Sequence, residues 1–271
     1  MIYAKDRGQM CNNLLQFGHV YAWARSRGRR AVSMRLAYKY PYFRASTMPG
    51  HNFARYLWGK YAPKLGLLPT VDFDAPGADS ALLEAEMERH ANVRVEGWHV
   101  RFYDLFERYL PEIREIYAFR PEVRREAAKR MDSSEGMLRV GLHVRRGDYA
   151  RWHDGQFFYS HDQYAAVAAR AITNLSHGRP TALFICTNDP ELPVSTYAEA
   201  MPGVDVRLCN GNPGEDLCVL SECDLLMGPP STFSLVAAMY RDTPLYWIKD
   251  PDATPETTDF KKFSYLFRNI L

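Results

Sequence analysis

From residue 137 onward the apolar and polar positions fall into alternating blocks of two kinds. "MLRVGLHV", "TALFICT", "VDVRLC", "DLLMG" and "PLYWI" are short, nearly continuous apolar runs that read as buried strands. Between them, "SHDQYAAVAARAITNL", "PVSTYAEAM", "GEDLCVLSEC" and "STFSLVAAMY" repeat apolar residues at helical spacing. Strand and helix taking turns in this way predicts a parallel α/β sheet. The first half follows the same scheme less cleanly. Residues 1–5 read as a strand, and "DRGQMCNN" supplies Gly8 for a tight approach and Asn12 or Asn13 as a helix cap. Leu14, Leu15, Gly18, Tyr21 and Ala22 then give a helix one apolar face, "SRGRR" ends it, and "AVSM" is a second strand. Residues 38–70 are aromatic and proline-bearing without a period, which predicts irregular helices and loops. Residues 79–90 read as a helix, "VRVEGW" as a strand and 101–119 as one or two amphipathic helices. The charged run "FRPEVRREAAKRMDSSEG" reads as a solvated helix and places a boundary near 122–136. The organisation expected is a domain over 1–130, a second over 131–252, and a closing helix in 253–271 packing across the two.

Composition narrows the function classes. The 271 residues suffice for two domains of about 130 residues. A net charge of +2 is too small for a general nucleic-acid surface, so any basic patch has to be local. Lys5, Asp6 and Arg7 interrupt the place of a secretory apolar core, and no run reaches the roughly 18 apolar residues of a membrane helix, so cytoplasmic work is expected. The five cysteines form no CxxC pair, and Cys186 in "LFIC" reads as a small core residue.

Ligands of open α/β sheets bind outside the carboxyl ends of the strands. That rule selects residues 6–13, 143–149, 187–190 and 228–234. In "VGLHVRRGDY" a buried strand delivers His143, Arg145, Arg146 and Asp148 to one turn, and such charges need partners once out of water. Guanidinium forks match phosphate oxygens. "GPPSTFS" puts Ser231 and Thr232 at a helix start, an anion site, while "CTNDP" offers Asn188 and Asp189 to a base or sugar edge. The combination suits a nucleotide diphosphate, with arginines where a metal would otherwise stand. Blander readings stand beside this one. Arg145 and Asp148 could form a structural ion pair, "GPPSTFS" a turn and cap, and His143 a packing group. His153 and His161 read as surface residues, since no metal-ligand spacing surrounds them. A P-loop, a GxSxG elbow and a dinucleotide fingerprint are all missing.

These stretches resemble the fucosyltransferase superfamily that shares an HxRRxD motif, most nearly the bacterial α-1,2-fucosyltransferases. "VGLHVRRGDY" matches the first motif, "FICTNDP" is similar to the second, and "DLCVLSECDLLMGPPSTFSLVAAMY" to the third. "RGQMCNNLLQFGHVYAWARSRG" is similar to the amino-terminal element, so the likeness spans nearly the whole chain. It implies a GT-B-like α/β fold, two Rossmann-like domains facing across a cleft. It also implies a GDP-fucose donor, inversion at the anomeric carbon, and neither metal nor cofactor.

By that resemblance Arg145 contacts the donor β-phosphate and Arg146 supports the pyrophosphate or the cleft. His143, Thr187, Asn188 and Asp189 lie around guanine and ribose, and Ser231, Thr232, Phe233 and Ser234 hold the phosphates. Gly8, Asn12 and Asn13 close the cleft from the acceptor side, and Asp148 or Asp6 deprotonates the acceptor hydroxyl. Three departures separate this chain from the bacterial group: "GQMCNN" replaces "GNQMFQ", Asn188 replaces an acidic residue, and Leu235 and Val236 replace paired tryptophans. The basic, tyrosine-rich run "RGRRAVSMRLAYKYPYFR" suits a sugar or acidic acceptor, or equally a packed helix edge. The expected activity is transfer of fucose to an oligosaccharide or lipid-linked surface-glycan precursor, in the cytoplasm or peripherally at the inner membrane face. The rivals are a transferase for another GDP-sugar and an inactive nucleotide-sugar-binding scaffold.

Overall fold

The structure, a computed structural model, describes residues 1–5 and 7–270. The chain divides into two compact units, Met1–Arg120 and Pro121–Leu271.

In the N-terminal unit the elements run β1 (Ile2–Lys5), α1 (Met10–Ser26), β2 (Ala31–Ser33), α2 (Leu36–Lys39), α3 (Phe53–Tyr61), β3 (Thr70–Asp72), α4 (Ser80–Arg89), β4 (Val93–Glu96), α5 (Tyr103–Arg108) and α6 (Leu110–Ile116). Their strands form a parallel sheet in the order β2-β1-β4-β3. Gln9, not Asn12 or Asn13, is the residue before the first turn of α1, so the expected cap sits one turn too late. The Asn13 amide instead donates to the Gln9 carbonyl at 2.9 Å and to the Tyr40 hydroxyl at 3.3 Å, from a fully buried position. Gly18 lets α1 lie flush on α5: a Cβ there would come within 2.3 Å of the Phe106 ring.

The C-terminal unit runs α7 (Pro121–Arg130), β5 (Leu138–Val144), α8 (His161–Leu175), β6 (Thr181–Thr187), α9 (Val194–Ala200), β7 (Asp205–Leu208), α10 (Pro213–Ser221), β8 (Leu225–Gly228), α11 (Thr232–Arg241), β9 (Leu245–Trp247) and α12 (Phe263–Arg268). Its parallel sheet has the order β7-β6-β5-β8-β9. The chain starts at the centre with β5, winds outward through β6 and β7, then returns to the other side of β5 for β8 and β9. The switch point, where α/β sheets take their ligands, therefore lies between the loops after β5 and β8. α7 packs against α10 and so goes with this unit.

Local chemistry explains why the helices start where they do. Ser160 and Gln163 form a reciprocal cap before α8, and Asn212 with Glu215 does the same before α10. β5 is buried on both faces, as its apolar run implies, and Cys186 on β6 is a buried thiol.

β8 approaches β5 unusually closely at one residue. A Cβ on Gly228 would stand 2.7 Å from the His143 carbonyl oxygen and 3.0 Å from its Cβ. Gly228→Ala is therefore expected to force the two strands apart and cost about 1–3 kcal/mol. Thermal melting checks this; an unchanged Tm would show that the strands can spread freely.

Candidate active site at the switch point of the C-terminal unit

β5 ends at Val144, and the next two residues point their guanidinium groups to different fates. Arg146 is tied down on all sides. Its Nε pairs with the Asp189 carboxylate at 3.2 Å, Nη1 donates to the Tyr159 carbonyl, and the guanidinium lies 4.5 Å from the centre of the Phe158 ring. Its backbone is held by Asn188, whose Oδ1 accepts from the Arg146 N–H at 2.9 Å and whose amide donates to the Arg146 carbonyl at 3.4 Å. An amide side chain both donates and accepts where an ionised carboxylate only accepts, which accounts for asparagine at a position expected to be acidic. Gly147 follows with φ +58°, and a Cβ there would come 3.2 Å from the Asn188 amide nitrogen.

Arg145 is far less committed. Nη2 donates to Asp148 Oδ2 at 2.7 Å, and the Tyr149 ring centre lies 5.7 Å away. Its Nε is buried and has no hydrogen-bond partner. The same is true of His143 Nδ1, two residues earlier on β5. Unsatisfied buried donors and acceptors are costly and rare, so two at one strand end mark a place for a ligand. The His143 ring packs on Phe233 at 4.9 Å, at the start of α11. Burial, then the neighbouring Arg145 charge, push His143 down from 6.5 to about 3, so it is neutral at ordinary pH. One face of the ring thus meets Phe233 while Nδ1 stays without a partner.

The loop after β8 is joined to this turn by Tyr149, whose hydroxyl donates to the Pro230 carbonyl at 2.6 Å. Ser231 caps α11 by accepting from the Phe233 N–H at 3.1 Å, and the Ser234 hydroxyl donates to the Ser231 carbonyl at 3.2 Å. Thr232 opens the helix. The turn-and-cap reading of "GPPSTFS" therefore holds, and it sets the positive end of α11 beside His143.

Asp189 is occupied within the protein. Besides Arg146, its Oδ2 lies 3.2 Å from His161 Nε2, and its N–H donates to Thr187 Oγ1 at 3.0 Å. His161 also meets the Tyr197 hydroxyl at 3.0 Å. This corrects the surface reading of His161: it is part-buried at the first turn of α8 and clamps the second-motif turn. The Ser-x-x-Gln cap before α8 was the available signal for its placement, though not for its partners. The expected Arg145–Asp148 ion pair is present, with Asp148 well exposed.

In the N-terminal unit Gly8 has φ +81°, and a Cβ there would strike the Asn12 amide at 2.5 Å. Asp6, the second candidate base, lies outside the described residues. At the carboxyl edge of this unit Arg7 reaches Asp72, Asp74 and Glu96 at 3.2–3.4 Å, a charge cluster that no sequence motif signalled. Asp74 accepts from the backbone N–H groups of Trp98 and His99 and meets the His99 ring at 2.7 Å. Among the described residues no group of three or more His, Cys, Asp or Glu could hold a metal ion, and no helix is long and apolar enough to cross a membrane.

Two outcomes follow from this geometry. Arg146→Ala breaks a largely shielded pair and is expected to cost about 1–3 kcal/mol, whereas Arg145→Ala leaves Tm nearly unchanged, as thermal melting will show. For His143 the unfolded chain binds a proton below 6.5 that the folded chain refuses until about 3, so stability is lost as pH falls through that window. Comparing wild type with His143→Gln in urea titrations at pH 7 and 5, the wild type should lose about 2 kcal/mol more on acidification; equal losses would mean that His143 titrates normally.

No family model and no curated protein matches the chain. Solved structures do. The fucosyltransferase NodZ from Bradyrhizobium is 17% identical, with 93% of this chain covering 96% of that one at a TM-score of 0.58. POFUT1 in complex with GDP-fucose is 13% identical over 89% of this chain and 93% of its own, at 0.56. A variant of Arabidopsis thaliana FUT1 in complex with GDP is 11% identical over 96% of this chain and 73% of its own, at 0.62. At these identities the likeness concerns architecture: the protein has the two-Rossmann-domain, GT-B-type α/β fold of those enzymes.

Proposed function

We propose that the protein is a metal-independent, inverting fucosyltransferase that moves fucose from GDP-fucose to a glycan hydroxyl. The observation that carries this reading is the buried, unpartnered Nε of Arg145 beside the equally unpartnered Nδ1 of His143, at the switch point of the C-terminal sheet. The fold it shares with NodZ, POFUT1 and FUT1, solved with GDP-fucose or GDP, supports the choice of donor.

In this reading Arg145 meets the β-phosphate. Negative charge gathers there as the glycosidic bond breaks, and a fixed guanidinium out of bulk water stabilises that charge more than it stabilises bound donor. His143, neutral, offers Nδ1 to the nucleotide, and the capped start of α11 with Ser231, Thr232 and Ser234 adds the helix dipole to the phosphate side. Arg146, Asn188, Asp189 and Thr187 hold the turn that presents Arg145, and the outward edges of Asn188 and Asp189 border the base and ribose. Asp148, which also orients Arg145 through its ion pair, is the first candidate general base for the acceptor hydroxyl and Asp6 the second. Gly8 and Asn12 shape the acceptor side, while Asn13, fully buried, fixes the start of α1 behind them instead of meeting the acceptor as expected. The acceptor is an oligosaccharide or a lipid-linked glycan, met in the cytoplasm or at its membrane boundary.

Calorimetric titration with GDP, GDP-fucose, GDP-mannose and UDP, without metal, tests the donor. GDP-fucose should bind selectively, Arg145→Ala should weaken it by about 10- to 100-fold, and Arg145→Lys should restore only part of the loss. Equal GDP-mannose binding would favour another GDP-sugar, and no binding to any GDP compound by folded protein would sink the assignment. An acceptor-dependent release of GDP then separates an enzyme from a binding scaffold.

A further inference from the structure

α3 is built inside out. Of its nine residues only Gly59 is buried, resting on Met34, where a Cβ would meet Sδ at 3.0 Å. The large apolar side chains face solvent instead: Phe53, Leu57, Trp58 and Tyr61 are 58, 37, 47 and 46% exposed. The turn that follows adds Leu65 and Leu67, 71 and 62% exposed, either side of Gly66. Tyr38 joins the patch from α2, its ring 4.5 Å from that of Tyr56. Single exposed apolar residues need no explanation, but a contiguous set does.

The charge around this face is one-sided. Residues 7–71 contain eleven Lys and Arg and no Asp or Glu. Arg7, Arg25, Arg27 and Arg44 find carboxylates elsewhere in the chain. The cations within the patch lie over rings instead: Lys60 over Tyr56 and Tyr61, and Lys64 over Tyr61. Beneath Trp58 and Leu67 a cavity of about 500 Å³ has Asn52, Asn92 and Arg55 in its lining, and Arg55 donates to the Tyr3 hydroxyl at 3.0 Å.

We propose that α3 and the loop after it form a docking surface for an anionic lipid bilayer. Tryptophan and tyrosine settle at the boundary between headgroups and chains, where one edge of the ring stays wet. Leu65, Leu67 and Phe53 reach below that boundary, and Lys60 and Lys64 extend along the rings to the headgroups above. Lys60 and Lys64, which lie over rings where the other cations named above meet carboxylates, are attracted to an anionic leaflet. Arg55 gives the cavity a cationic wall suited to one headgroup phosphate. The face is a helix and a loop tip carrying apolar side chains outward, which fits a deformable surface better than a protein partner of fixed relief.

The test is co-sedimentation of the full chain with vesicles of phosphatidylcholine alone and of phosphatidylcholine mixed with phosphatidylglycerol. Binding to the mixed vesicles is expected to be at least about tenfold stronger, to weaken in high salt, and to shift Trp emission to the blue. Lys60→Glu with Lys64→Glu should abolish the preference for phosphatidylglycerol, and Trp58→Ala with Leu67→Ser should weaken binding to both. Each variant is first checked for an unchanged melt and unchanged nucleotide binding, so failure here is separate from failure of the donor assignment. Equal sedimentation with both vesicle types, or variants that bind like wild type, overturns the proposal. So does a wild-type dimer broken by Trp58→Ala without vesicle binding, which would make the face a contact between copies of this chain.

Discussion

The Asp189 carboxylate receives Arg146 Nε and His161 Nε2 on one oxygen, each at 3.2 Å, and so ties the loop after β5 to the loop after β6 and to the first turn of α8. The rest of the switch-point edge follows from this clamp. With Arg146 drawn down onto Asp189 and bracketed through its backbone by Asn188, the neighbouring Arg145 has a fixed starting point. Tyr164 reinforces it by donating to the Arg145 carbonyl at 3.2 Å. A guanidinium on a loose turn would lose entropy on meeting an anion; one on a clamped turn is set beforehand.

Two adjacent arginines at a strand end thus do different work. One spends its hydrogen-bonding capacity inside the protein and the other keeps part of it. The distinction depends on alternation along the chain, because successive side chains leaving a strand point to opposite sides. Arg146 falls on the side of α8 and β6, and Arg145 on the side of Tyr149 and the β8 loop. Exchanging lysine for either would fail for different reasons, through a lost fork at 146 and a lost planar donor set at 145.

Much of this architecture was legible in the residues. Long apolar runs such as "LRVGLHV" and "TALFICT" have no other stable setting than a doubly covered sheet, and the helices between them repeat with clear faces and caps. β3 was not legible: three residues, "TVD", between a proline and a second acidic residue carry too little pattern. Nor was the start of α1, because Gln9 caps without a side-chain bond and two asparagines nearby drew the expectation later. In the site, the strand-end residues were found from their type and position. The partners of Arg146 were not, since Tyr159 and Asp189 meet it only through tertiary packing, 13 and 43 residues further along the chain, and His161 reaches Asp189 in the same way. Asn188 looked like a departure and is explained by the two-sided hydrogen bond it makes.

The exposed Asp148 gives the edge one more property. Its carboxylate occupies one arm of Arg145 before any ligand arrives, so it acts as a resident competitor. With that arm taken, the edge of Arg145 that stays open is the one bearing Nε, so the pair sets the direction from which an anion would meet the guanidinium. One exposed residue of the turn thereby decides which edge of the guanidinium is left open.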